Sequence, residues 1–192
     1  MAMIKEVIDN KYNTEKMLIE IGDETVTKLF KPYRGYQRRY KREKEALLRL
    51  LHIIDIPRLI KFEDHNTKLF MTRLPGVKPV DLSEQNLRDL TKIVEQMLAA
   101  GVARHAMPIR DILVDQNGRL SLVDFERSTI VNQLWRPDFL IAKKVSRYHL
   151  YRLIAQYQPQ LLTKRQKQQL ERVNKLRSYF GVFKRFRNYI RA

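Results

Sequence analysis

Two acids are placed where a metal could use them. The stretch Arg104-His105-Ala106-Met107-Pro108-Ile109-Arg110-Asp111-Ile112-Leu113-Val114 is followed by Asp115-Gln116-Asn117-Gly118 and then by Leu120-Ser121-Leu122-Val123-Asp124-Phe125-Glu126. Asn-Gly between apolar runs is a strong hairpin signal, so residues 112–114 and 120–125 are expected to pair. Pairing puts Asp111 just before one strand and Asp124 just after the other, at the same end of the hairpin. Two hard oxygen ligands beside a cleft suit Mg²⁺, which keeps most of its waters and is usually held by one or two carboxylates together with the phosphates of a substrate. Plainer readings stand beside this one. An acid at a strand end often serves only a turn, and Asp111 has Arg104, Arg110 and Arg127 as candidate ion-pair partners. His52, His65 and His149 are isolated, without the spacing of a metal-binding histidine pair.

The hairpin needs elements to hold it. Residues 4–9, 15–21 and 25–31 alternate apolar with polar or carry β-branched residues, and Gly22-Asp23 separates the last two, so three antiparallel strands are expected. Residues 37–50 are good helix formers with apolar positions at 40, 47, 48 and 51. Ile56-Pro57 ends that helix, and Arg58–Phe62 and Lys68–Leu74 read as two more strands around a His65-Asn66 turn. Pro75-Gly76 and Pro79 make a hinge where strand pattern gives way to helix pattern. Asp81 or Ser83 caps a helix running to about Ala100, with Gly101 as its stop. Helices follow the hairpin to the end. The expectation is an α+β fold of two lobes with a cleft between them: a β-rich lobe over residues 1–76 and a mostly helical lobe over 77–192.

On these residues the chain resembles the protein-kinase-like superfamily, in its compact bacterial branch of lipopolysaccharide Kdo and heptose kinases and RIO-type kinases. Val123-Asp124-Phe125-Glu126 is similar to the metal-binding Asp-Phe-Gly, with Glu126 where Gly is usual. Thr25-Val26-Thr27-Lys28-Leu29-Phe30 resembles the strand that offers a phosphate-binding Lys, and the helix through Glu43 resembles the one bearing its partner. The resemblance runs over residues 10–130. It implies Lys28 and Glu43 as the pair that positions ATP, and Asp124 as the main Mg²⁺ ligand, with Asp111 in place of a second, metal-binding Asn. It also exposes two departures. Ala106 stands where the catalytic Asp is usual, and a methyl group takes no proton; His105 and Asp111 are the substitutes within reach. Asn10-Lys11-Tyr12-Asn13-Thr14 replaces the Gly-rich loop, with no glycine in it. Taken singly, Lys28 reads equally well as a solvated strand residue, Glu43 as an exposed helix salt bridge and His105 as a packed or surface side chain.

Composition limits the alternatives. The chain has 192 residues, 44% hydrophobic and 31% charged, which excludes disorder and low-complexity arrays. It has no cysteine, so disulfides and thiolate chemistry are excluded. The first residues carry charge at once and show no targeting signal, and no run approaches the length of a membrane span. The expected place is therefore the cytoplasm, with any membrane contact peripheral on the inner membrane. The net charge is +17, and from Lys164 onward there are ten basic residues against the single acid Glu171. Leu170, Val173, Leu176, Phe180, Phe183, Phe186 and Ile190 recur every three or four positions there, a stripe that would lie on an anionic glycolipid or membrane surface or dock on the protein's own helices. A second basic patch at 31, 34, 38, 39, 41, 42 and 44 would receive an acidic substrate or lipid phosphate. Nucleic acid would bind the same charge, but zinc-finger spacing and RNA-binding aromatic signatures are both lacking. Two functions stand. One is an ATP- and Mg²⁺-dependent phosphotransferase acting on a hydroxyl of a lipopolysaccharide core sugar or another membrane-associated acceptor. The other is a pseudokinase that binds nucleotide, a partner or an anionic membrane without phosphoryl transfer.

Overall fold

A computed structural model describes residues 10–176. The strand expected over 4–9 and the basic stripe beyond 176 lie outside the described residues. The first lobe is a five-stranded antiparallel sheet of β1 (Lys11–Asn13), β2 (Met17–Ile21), β3 (Thr25–Phe30), β4 (Leu59–Glu63) and β5 (Lys68–Thr72), in the order β1-β2-β3-β5-β4. Residues 11–13, expected to be loop, are a strand. Lys11 and Asn13 point outward there, so a three-residue edge strand leaves almost no alternation to read in the sequence.

Helix α1 (Tyr36–Arg49) crosses the sheet between β3 and β4. Its inner stripe is Tyr40, Glu43, Ala46 and Leu47, while Leu48 and Leu51, expected to face inward, are exposed. The spacing of Tyr40, Glu43 and Leu47 is helical, which forces the carboxylate of Glu43 onto the buried face. Tyr40 packs edge-on against Phe30, at 5.8 Å between ring centres. Lys28 shares the Phe30 face of β3 because successive strand residues alternate sides. At its far end α1 is tied to the second lobe by Arg49, which donates to the Val131 carbonyl at 2.5 Å and also reaches Asn132.

The chain enters the second lobe over Pro75-Gly76-Val77. Gly76 has φ +107°, and a Cβ there would sit 2.6 Å from the Val114 carbonyl, so only glycine lets the two backbones approach. Val77 then exchanges both backbone hydrogen bonds with Val114, stitching the connection onto the hairpin. Helix α2 (Glu84–Ala99) starts at Ser83, whose hydroxyl accepts from the Asn86 amide at 3.1 Å while the Asn86 side chain accepts from the Ser83 amide. Loss of that reciprocal cap in Ser83→Ala is expected to cost about 1 kcal/mol, measured by urea unfolding. Asn86 also donates to the Gly118 carbonyl at 2.7 Å and so fixes the hairpin turn to the helix.

The remaining elements are β6 (Val102–Arg104), β7 (Ile112–Val114), β8 (Leu120–Leu122), β9 (Ser128–Ile130) and α3 (Pro137–Tyr157). β7 and β8 form the expected hairpin. β9 is a correction to the expectation of helices only after the hairpin: it pairs antiparallel with β6, Arg104 opposite Ser128. Three residues with a Ser-Thr start carry too little alternation to announce a strand. A further helix over 164–176 brings Leu170 against the core and Asn174 to the Tyr148 hydroxyl at 2.8 Å. The first part of the basic stripe therefore docks on the protein's own helices. No helix among the described residues is long and apolar enough to cross a membrane.

Candidate active site

Three segments of the chain converge between the lobes. Lys28 from β3 is 4% exposed and Glu43 from α1 is 1% exposed. The Lys28 ammonium donates to Glu43 Oε2 at 2.6 Å and to Asp124 Oδ1 at 3.0 Å, and lies 3.9 Å from Glu126 Oε2. Glu43 also accepts from the Phe125 amide at 3.4 Å. Asp124, at the end of the Leu120–Val123 run, has φ +67°, a left-handed conformation that a non-glycine residue adopts only when its surroundings impose it. The left-handed turn takes the chain out of the hairpin, and the carboxylate there faces the ammonium from the opposite lobe.

Electrostatics follow from the count of charges. Carboxylate oxygens of Glu43, Asp124 and Glu126 lie within 4.8 Å of one another. Lys28, Arg39 at 3.4 Å from Glu126, and Arg104, which acts on Asp124 while paired with Asp111, are three cations facing four acids once Asp111 is counted. Burial alone would lower the Lys28 ammonium, but Asp124, Glu43 and Glu126 outweigh it and hold it above the usual lysine range. Burial pushes Glu43 up to about 7 against the pull of Lys28, and the nearby carboxylates of Asp124 and Glu126 add to the rise. Asp124 is held below the usual range: Lys28 and Arg104 overcome its desolvation. The cluster is thus short of positive charge, and its donors are hard oxygens, which fits a divalent cation such as Mg²⁺.

Asp111 is placed otherwise. It is 8% exposed and accepts from Arg104 at 2.5 Å, a buried pair in which Arg104 also donates to the Val123 carbonyl at 3.0 Å and lies over Phe125. Burial pushes Asp111 up to about 6 even so, with Arg104 pulling the other way and Asp124 adding to the rise. The three acids that gather are Glu43, Asp124 and Glu126. His105 is placed differently again: its Nε2 lies 2.7 Å from the Thr129 hydroxyl, and its ring lines a cavity with Glu126. Burial, with Arg42 and Arg127 nearby, lowers its pKa, so the imidazole is neutral at neutral pH.

The sequence does not mark Arg104 or Glu126 as functional groups, and it places Arg39 only in the basic patch expected to receive an acidic substrate or lipid phosphate. Glu126 was legible only as a substitution for glycine, and Arg104 only as one of three partners for Asp111. The first turn has its own device. Thr14 Oγ1 accepts from the amides of Lys16 at 3.3 Å and Met17 at 3.2 Å, so a hydroxyl of this chain occupies backbone donors that a Gly-rich loop would offer to phosphate.

A five-stranded antiparallel sheet, a helix carrying a glutamate to a strand lysine, and a helical lobe whose hairpin ends on an aspartate facing that lysine make up a two-lobed α+β fold. No protein-family model matches the chain, and no curated protein matches it. Among solved structures it is similar to WbdD in complex with the kinase inhibitor LY294002, at 20% identity and a TM-score of 0.48, over 73% of this chain and 37% of that one. It is also similar to a medium-resolution structure of the bifunctional kinase-methyltransferase WbdD, at 18% identity and a TM-score of 0.48, over 72% of this chain and 34% of that one. The chain spans little more than a third of that protein.

Proposed function

We propose that the chain is an atypical kinase-like phosphotransferase that uses ATP with Mg²⁺ to phosphorylate a hydroxyl group. One observation carries this: Lys28 from the sheet lobe bridges Glu43 of α1 and Asp124 of the hairpin, at 2.6 and 3.0 Å, in the space between the lobes. A fixed ammonium beside an acid cluster short of cations is what a metal–triphosphate needs for neutralisation and orientation. Asp124 and Glu126 would hold the metal, Lys28 would orient phosphate, and Glu43 would keep Lys28 in place. When bound, the metal would neutralise charge on the transferring phosphate. His105 is the proton acceptor in this proposal, because its ring is neutral and its Nε2 is steered by Thr129. Asp111 is committed to Arg104 and serves to position the Ala106 loop. The acceptor class implied by the resemblance is a phosphate-bearing glycolipid, such as a lipopolysaccharide core sugar, met at the inner face of a membrane.

A non-catalytic nucleotide binder is the alternative, favoured by Ala106 and by the Thr14 hydroxyl that occupies the amides of the first turn. Thermal denaturation with and without Mg²⁺ and ATP tests both. A ligand at a hundredfold excess over its Kd stabilises by about 2.7 kcal/mol, which raises Tm by several degrees. That rise is expected in the wild type and is expected to vanish in Asp124→Asn. Phosphate transfer or slow ATP turnover in the wild type, lost in His105→Ala, supports the enzyme. Stabilisation without turnover selects the pseudokinase. No stabilisation at all would end both.

A further inference from the structure

A cavity beside this site is lined by neither Lys28, Glu43 nor Asp124. Its volume is about 470 Å³, and it lies at the mouth between the lobes, lined by Lys16, Tyr33, Arg34, Arg39, Arg42, His105, Glu126 and Arg127. Five of these eight side chains are cationic and one is acidic. The acid is already shared: Glu126 accepts from Arg39 and faces Lys28. Arg34, Arg42 and Arg127 form no ion pair among the described residues, Lys16 only sits over the Tyr33 ring at 5.1 Å, and Nη2 of Arg39 is buried without a hydrogen-bond partner. Both lobes contribute. Lys16 comes from the first turn, Arg39 and Arg42 from one face of α1, and His105 and Arg127 from the two strand ends joined by the hydrogen bond from the His105 amide to the Arg127 carbonyl, 2.9 Å long.

Like charges brought this close repel, so a fold keeps them together when something outside the chain neutralises them. We propose that this cavity, which adjoins the nucleotide site at Lys28 and shares Glu126 and His105 with it, is a binding site for a small molecule or headgroup bearing two phosphomonoesters. A phosphomonoester carries between one and two negative charges near neutral pH, so two of them balance the surplus of cations. Arginine forks engage phosphate oxygens in pairs, and four of the five cations are arginines. The volume lies in the range of small-molecule sites. His105 and Tyr33 add polar groups to the wall that can meet the hydroxyls of a sugar or polyol. The assignment does not depend on nucleotide binding at Lys28.

Titration calorimetry of the full chain with fructose bisphosphate, and flotation with vesicles containing phosphatidylinositol bisphosphate matched in charge to phosphatidylserine vesicles, test it. Binding to the sugar assigns a soluble ligand, and binding to the bisphosphate vesicles alone assigns a lipid headgroup. In either case Arg42→Gln with Arg127→Gln is expected to weaken binding by about tenfold or more, and Asp124→Asn to leave it unchanged. Lys16→Gln with Arg34→Gln, both on exposed loops, gives the same readout should the first pair fold poorly. Lys164→Gln with Lys167→Gln removes equal charge elsewhere and is expected to change nothing. Binding of neither probe overturns the assignment. So does a loss as large in the Lys164 and Lys167 variant, which would mark general charge attraction, or a loss in Asp124→Asn, which would move the ligand into the nucleotide site.

Discussion

Lys28→Met is expected to destabilise the protein by about 3–5 kcal/mol near pH 8, and by markedly less near about pH 5. The substitution keeps the stem and removes the ammonium, so Glu43 and Asp124 lose the cation they share at 2.6 and 3.0 Å. Glu43 is 1% exposed and cannot turn to water. Without the pull of Lys28 the carboxyl rises further, so the folded variant must take up a proton there, at a cost that grows as pH climbs above the unfolded value and is small close to it. The wild type should show the same sign on its own. Glu43, raised from 4.5 to about 7, and Asp111, raised from 3.8 to about 6, hold more protons folded than unfolded. Stability from these two groups is full below their unfolded values and is lost as pH rises through 6 and 7. Asp124 works the other way, its contribution being lost only as pH falls through its depressed value. Urea unfolding of wild type, Lys28→Met and Lys28→Met with Glu43→Gln at the two pH values measures this, the double variant recovering much of the loss at the higher pH. An equal loss at both pH values would mean that Lys28 stabilises by its stem and not by its charge.

The parts of this site that the sequence revealed are those with local signals. The hairpin was legible because Asn117-Gly118 lies between apolar runs, and the structure adds why the turn is rigid: Asp115 accepts from the amides of Asn117 at 2.8 Å and Arg119 at 2.9 Å. The second helix was legible from Ser83 and its apolar spacing. Glu43 stood one step from legibility. Among Arg42, Lys44 and Glu45 it looks like surface charge, yet its spacing from Tyr40 and Leu47 places it on the inner stripe. What stayed hidden is what depends on pairing at a distance. Arg104 and Ser128 oppose each other across β6 and β9, which turns Arg104 inward to Asp111, and no neighbour in sequence announces that. The basic cavity was legible in part: Arg34, Arg39 and Arg42 belong to the basic patch read from the sequence, while Lys16, His105 and Arg127 join them only through the tertiary fold.

Asp111→Ala separates the two roles that the sequence left open for that residue. If Asp111 mainly anchors Arg104, the variant loses about 3–5 kcal/mol while stabilisation by Mg²⁺ and ATP persists on a lowered Tm. The reason is that Arg104, 3% exposed, then keeps only the Val123 carbonyl and the face of Phe125. If Asp111 instead holds the metal, the ligand-induced shift disappears with a modest change in baseline stability. The geometry favours the anchor, with the guanidinium 2.5 Å from Asp111 Oδ2. Breaking a buried pair and replacing it are different operations, because desolvating two ions costs nearly what their attraction returns. Arg104→Met with Asp111→Leu is therefore expected to recover most of what Asp111→Ala loses, since neither residue is then left charged and unpaired. A double variant as unstable as the single one would show that the Arg104 contact to Val123, rather than the ion pair, holds the Ala106 loop against the hairpin.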